Sequence, residues 1–205
     1  PETADAYINW SLRFEVVAEP VFTYAEADHG DLSSNAAEPT VIPWKGTGVY
    51  EIGGRAKNFQ QVNSDPEYFT LTVPEGHELT GVSLREYVQV GYEVHGVPMG
   101  NGGFMGVGLG SSLPVIASPE VFPAASAALI GGALIGVRSG LKPGEELLDD
   151  LQAPFSFSFE DLDLVIPGFE GNLGAGTYTF MLKEGNPDPE TADAYINWSL
   201  RFEVV

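Results

Sequence analysis

Residues 195–205 read YINWSLRFEVV. Ile196, Trp198, Leu200, Phe202 and Val204 alternate there with Asn197, Ser199, Arg201 and Glu203. Side chains project to opposite sides of an extended chain with a period of two, so the five apolar residues share one face. The stretch predicts a half-buried β-strand. It also occurs twice: PETADAYINWSLRFEVV fills both 1–17 and 189–205, identical at 17 positions with an offset of 188.

The same alternation recurs outward from this segment. Phe69, Leu71 and Val73 alternate with Thr70 and Thr72, and Tyr178, Phe180 and Leu182 with Thr177, Thr179 and Met181. Val82, Leu84, Val88 and Val90 share a face in VSLREYVQV. Each predicts a strand with one wet face. In PFSFSFEDLDLVIPG (154–168) the apolar parity switches from Phe155, Phe157 and Phe159 to Leu162, Leu164 and Ile166. A β-bulge or a tight corner at Glu160–Asp161 would keep both halves facing the core.

Turn signals separate these runs at PEGHE (74–78), GNGG (100–103), KPGE (142–145), GNLGAG (171–176) and GNPDP (185–189). With 25 Gly and 15 Pro, long helices have little room, and the one helical candidate is GEELLDDL at 144–151. The apolar run AASAALIGGALIGV (124–137) is fenced by Pro123 and Arg138 and is too short to cross a bilayer as a helix, so it reads as a buried strand pair or a core segment. The expected fold is an all-β, antiparallel β-sandwich, jelly-roll-like, with a few short helical turns and one solvated face on each sheet.

Charge narrows the function. Against 29 acidic residues there are 9 basic ones, a formal charge of −20, which repels nucleic acid and anionic lipid. There is no cysteine, hence no disulfide and no thiolate metal site.

The duplicated segment bears on organisation. One sandwich has one slot for a given closing strand, so 18–205 reads as one complete repeat and 1–17 as the closing strand of a preceding repeat, or as a donor strand for a neighbouring molecule. Only Ala18, Glu19 and Pro20 separate Val17 from the next apolar pattern, which implies close coupling of neighbours. A terminus duplicated by design, giving a self-complemented monomer, is the bland alternative. The expected partners are identical subunits or repeats, head to tail, with no nucleic acid and no transmembrane segment. The joining residues are then Ile8, Trp10, Leu12, Phe14 and Val16, twins of Ile196, Trp198, Leu200, Phe202 and Val204.

Several phrases, FTYAEADHGDLSSNAAEPT (22–40), DPEYFTLTVPEGHELTGVSLREY (65–87), GEELLDDL, LGAGTYTFMLKEG (173–185) and YINWSLRFEVV, come in an order that resembles the pre-peptidase C-terminal type of β-sandwich domain. That resemblance implies a non-catalytic accessory or structural module of an exported bacterial protein. The chain departs from the compact pattern mainly through extra length in 88–143.

Catalytic patterns are sparse. His29, His77 and His95 have no metal-ligand spacing and read as surface residues near turns. Ser111 and Ser112 lack a nucleophile elbow, GNGGFMGVGLG (100–110) lacks the lysine of a phosphate-binding loop, and acidic pairs are expected by chance in so acidic a chain. Asn197-Trp198-Ser199 matches a glycosylation sequon but falls inside a strand. No enzyme is expected. The best acidic constellation is EADHGD, in which Glu26, Asp28 and Asp31 offer the hard oxygens that suit Ca2+, with solvated acidic surface as the competing reading. The expectation is therefore a structural repeat of an extracellular or cell-surface fibre. A Ca2+-dependent or glycan-binding accessory module, with Trp44 or Tyr92 as stacking platforms, is the alternative.

Overall fold

A computed structural model describes residues 19–57, 65–90, 93–94, 97–98, 103–114, 128–135, 143–159, 162–184 and 195–205. In chain order they form β1 (Val21–Ala25), α1 (Glu26–His29), β2 (Thr40–Val41), β3 (Gly48–Ala56), β4 (Glu67–Val73), β5 (Leu79–Val90), β6 (Glu93–Val94), β7 (Val97–Pro98), β8 (Gly103–Leu109) and β9 (Leu129–Ile135). Then follow α2 (Leu148–Gln152), β10 (Phe155–Phe159), β11 (Leu162–Ile166), β12 (Gly176–Glu184) and β13 (Tyr195–Val204). Two sheets of order β1-β3-β13-β5 and β2-β4-β12-β8-β9 pack face to face as an all-β sandwich.

The core is the set of apolar positions that alternation predicts. From β4 and β12 come Phe69, Leu71, Phe180 and Leu182, and from β13 come Ile196, Trp198, Leu200 and Phe202, all of them buried. Phe69 stacks on Phe180 at 5.3 Å and on Trp198 at 6.1 Å, while Phe202 meets Phe69 and Phe180 edge-on at 5.8 and 5.0 Å. Offset and edge-to-face contacts of this kind add to simple area burial. β13 lies between β3 and β5, antiparallel to both.

Three expectations need correction, and one further detail agrees with expectation. The pairing is not wholly antiparallel, because β1 runs parallel to β3 and β2 parallel to β4. The chain changes sheet at each step from β1 to β5, so same-sheet neighbours are joined by a crossover rather than a hairpin and are free to run parallel.

The outer face of the five-stranded sheet is solvated only in part, at Thr72 for example. Met181 and Thr179, assigned to the wet face by alternation, are fully enclosed. A second apolar layer of Tyr68, Phe104, Leu129, Met181, Ile166 and Leu113 covers them.

The parity switch falls between β10 and β11, which pair antiparallel with Phe155 opposite Ile166, so odd positions of one strand stand opposite even positions of the other. Residues 160–161 themselves lie outside the described residues.

Val88 does not share a face with Val82 and Leu84. Leu200 pairs with Leu84 but Ser199 with Glu86, and the extra residue at Arg85 turns the strand over. Tyr87 then packs on the core and Val88 is 45% exposed.

The 88–143 excess contributes β8 and β9 to the five-stranded sheet, and 129–135 of the apolar run is β9. The helical candidate forms one turn, α2, whose Leu148 and Leu151 are buried. Among the described residues no helix is long and apolar enough to cross a membrane.

Candidate functional site

The two features singled out by the sequence have different fates. β13 fills its slot with alternating burial over its whole length. Residues 1–17, with Ile8, Trp10, Leu12, Phe14 and Val16, lie outside the described residues. So do His95 and Tyr92.

The acidic loop after β1 folds into a defined site. Glu26 opens α1, a single turn that Gly30 ends at φ +90° by donating its N–H to the Glu26 carbonyl. This reversal carries the chain back so that the Leu32 N–H donates to Glu26 Oε1 at 3.1 Å, and the Arg55 N–H of β3 donates to Oε2 at 2.9 Å. The Glu26 carboxylate therefore lies flat over β3, in the space that a side chain at Gly54 would fill. A Cβ there would come within 2.5 Å of both carboxylate oxygens.

Beneath it β4 begins. The Lys57 N–H donates to the Asp65 carbonyl at 2.7 Å, tying the end of β3 to the residues just before β4. Glu67 shares the inward parity of Phe69, Leu71 and Val73 and so points between the sheets. It is 0% exposed, and neither of its oxygens has a hydrogen-bond partner. Oxygen atoms of Glu26, Asp31 and Glu67 lie within 4.8 Å of one another, graded from exposed Asp31 through half-buried Glu26 to enclosed Glu67. A cavity of about 710 Å³ opens over this edge, lined by Glu26, Asp31, Asp65 and, from β13, Asn197 to Ser199.

Burial moves the carboxyls of Glu67, Glu26 and Asp65 the same way. Burial, then the charges of Glu26, Asp65 and Asp31, pushes the Glu67 carboxyl up to about 11. Glu26 and Asp65 are raised as well, burial being the largest cause for each. The two backbone donors oppose it at Glu26, and Lys57 and Arg55 oppose it at Asp65. The Arg55 guanidinium itself sits over the Tyr195 ring, 4.2 Å from its centroid.

Of the predicted ligands, then, Glu26 and Asp31 converge. Asp28 does not: it is exposed on α1 and outside the group, because two residues along a helix turn its direction about 200° away from that of Glu26. Glu67 and Asp65 were not among the predicted ligands, yet parity counted back from Phe69 puts Glu67 on the core face.

The remaining residues stand apart from the cluster. His29 stacks on Tyr24 at 4.4 Å, and His77 lies 5.5 Å from Trp44 with its Nδ1 3.1 Å from the Val205 carbonyl. Trp44, 37% exposed, stacks on Tyr50 at 6.0 Å. Ser111 and Ser112 are exposed beyond β8.

Comparisons with protein-family models, with curated proteins and with solved structures find no match.

Proposed function

We propose that this chain is a structural module that joins identical neighbours head to tail, in an extracellular or cell-surface fibre, through the repeated strand. One observation carries the reading: the sequence that forms β13, at the centre of a sheet and hydrogen-bonded on both edges, is present a second time at 7–17. A strand that fits a central slot once fits the same slot in any identical copy. The five apolar side chains of β13 are between 0 and 2% exposed, and their burial stabilises the sandwich by roughly 10 kcal/mol as an upper bound. Left in water, the 1–17 copy forgoes that amount, so it drives association with a slot on a preceding repeat or a second molecule. Such heterologous pairing does not close on itself and builds linear assemblies.

The acidic surface is consistent with life outside the cell, and the job is assembly and reach rather than chemistry. The test is removal of 1–17, with mass and shape read by light scattering and electron microscopy. A folded monomer from the shortened chain, beside dimers or fibres from the full one, supports the reading. Unchanged assembly after the deletion overturns it, as does a full chain that stays monomeric at high concentration.

A further inference from the structure

We propose that Glu26, Asp31 and Glu67 form a binding site for a divalent cation of the calcium class, at the edge of the sandwich where the loop after β1 meets the start of β4. The argument begins with Glu67. Its carboxyl group is fully enclosed and neither oxygen has a hydrogen-bond partner, which makes it the costliest kind of polar group a core can hold. Its side chain points at two further carboxylates, and none of the three meets an opposite charge in the ion pairs Arg85–Glu51 and Arg201–Glu203.

Geometry selects what could relieve it. Oxygens that share one Ca2+ at about 2.4 Å each lie no more than about 4.8 Å apart. The three donor oxygens meet that limit. The donor set is oxygen only, with no histidine in the group, which favours a hard cation over zinc or copper.

The surroundings are shaped for the arrangement. Gly54 leaves room for the Glu26 carboxylate, and the backbone N–H groups of Leu32 and Arg55 orient its two oxygens. Such outer contacts fix a ligand in place before an ion arrives. The cavity past Asp31 and Asp65 gives an entry path and room for the waters that complete six to eight ligands.

A bound cation would tie the first sheet to the second, since Glu26 belongs to the β1–α1 side and Glu67 to β4. The site is independent of the strand assembly proposed above and stands or falls separately.

The experiment uses the full chain, stripped with EDTA, dialysed into 150 mM NaCl near neutral pH and titrated with CaCl2 alone by calorimetry and by thermal melting. Saturable one-site binding is expected, with a melting temperature that climbs with the logarithm of calcium by mass action. Glu67→Gln and Asp31→Asn are expected to weaken binding by about tenfold or more, and Asp28→Asn to leave it unchanged. Asp31 is exposed, so Asp31→Asn keeps the test alive if the buried variant fails to fold. Absence of saturation at millimolar calcium overturns the site. Equal weakening by Asp28→Asn overturns it too, since diffuse attraction to a chain of charge −20 would then account for the binding.

Discussion

β13 and β4 face each other across the core, meet through Trp198 and Phe69, and follow the same period of two, yet they end differently. On β13 every inward position from Ile196 to Val204 is apolar. On β4 the inward row Phe69, Leu71, Val73 continues at its first position into Glu67, which is equally enclosed. The first strand is what stability alone asks for. The second gives up stability at one position. A carboxylate retained there, where an apolar residue would pack without desolvation cost, points to a task other than holding the sheets together.

The largest expected effect breaks the comparison at β13. Trp198→Asp puts an unpaired charge against Phe69 and removes the largest side chain of the inner face, and it is expected to cost more than about 4 kcal/mol, measured by urea unfolding. The same change at Trp10 alters the identical sequence and, on the proposed strand assembly, is expected to leave monomer unfolding within about 0.5 kcal/mol while abolishing assembly. Equal destabilisation by both would mean that the two copies share the one slot.

The next effect is at Glu67, and its sign is opposite. In calcium-free buffer near pH 7.5, Glu67→Gln is expected to stabilise the protein by at least about 1–3 kcal/mol, since folding must protonate Glu67 at that pH whereas an amide takes up no proton. The pH dependence follows from the same burial. The Glu67 carboxyl is raised from an ordinary 4.5 to about 11, so between those values the folded protein holds a proton that the unfolded chain has released. Stability is thus fully present below about pH 4.5 and falls as pH rises, by up to about 1.4 kcal/mol per pH unit for this one proton. Glu26 and Asp65, raised in the same direction and facing Glu67 with Asp31, act with the same sign. Urea midpoints from pH 5 to 8 check this, and the Gln variant is expected to show a slope shallower by about one proton. A slope unchanged by the substitution would mean that Glu67 is not the group responsible.

These two strands also measure what could be read from sequence. The sandwich was legible because alternation is a local signal, and Ile196 to Val204 carry it without interruption. What was not legible depended on partners distant in the chain. Met181 and Thr179 look like a wet face until the β10–β11 layer and the residues around Leu113 close over them. The chain reversal at Gly30 and the gap at Gly54 bring Glu26 to Asp31 and Glu67, and nothing in EADHGD announces a carboxylate 41 positions further on from Glu26. Glu67 alone left a trace, its parity with Phe69.

A smaller effect probes the bed on which the acidic site rests. Gly54→Ala introduces a Cβ into the space of the Glu26 carboxylate, so the side chain must leave and give up the two backbone donors at Leu32 and Arg55. The expected cost is about 1–2 kcal/mol in urea unfolding, set by those unsatisfied N–H groups against the relief of crowding among carboxylates. Hydrogen exchange at the Leu32 and Arg55 amides is expected to speed up. Retained protection at both would show that Glu26 is not what holds them.

The smallest expected effect is at Val88, where the bulge in β5 decides which valines face the core. Val82 pairs with Phe202 before the bulge and is 0% exposed, while Val88 pairs with Asn197 beyond it and is 45% exposed. Valine and threonine have nearly the same shape, so Val→Thr mainly adds a hydroxyl. At Val82 that hydroxyl has only apolar neighbours in the main core, and the change is expected to cost about 1–3 kcal/mol. At Val88 water satisfies it, and the change is expected to stay within about 0.5 kcal/mol. The paired urea midpoints test the extra residue at Arg85 directly. An uninterrupted β5 would put both valines on one face and make the two substitutions similar in cost, whereas a bulge separates them by at least a factor of two.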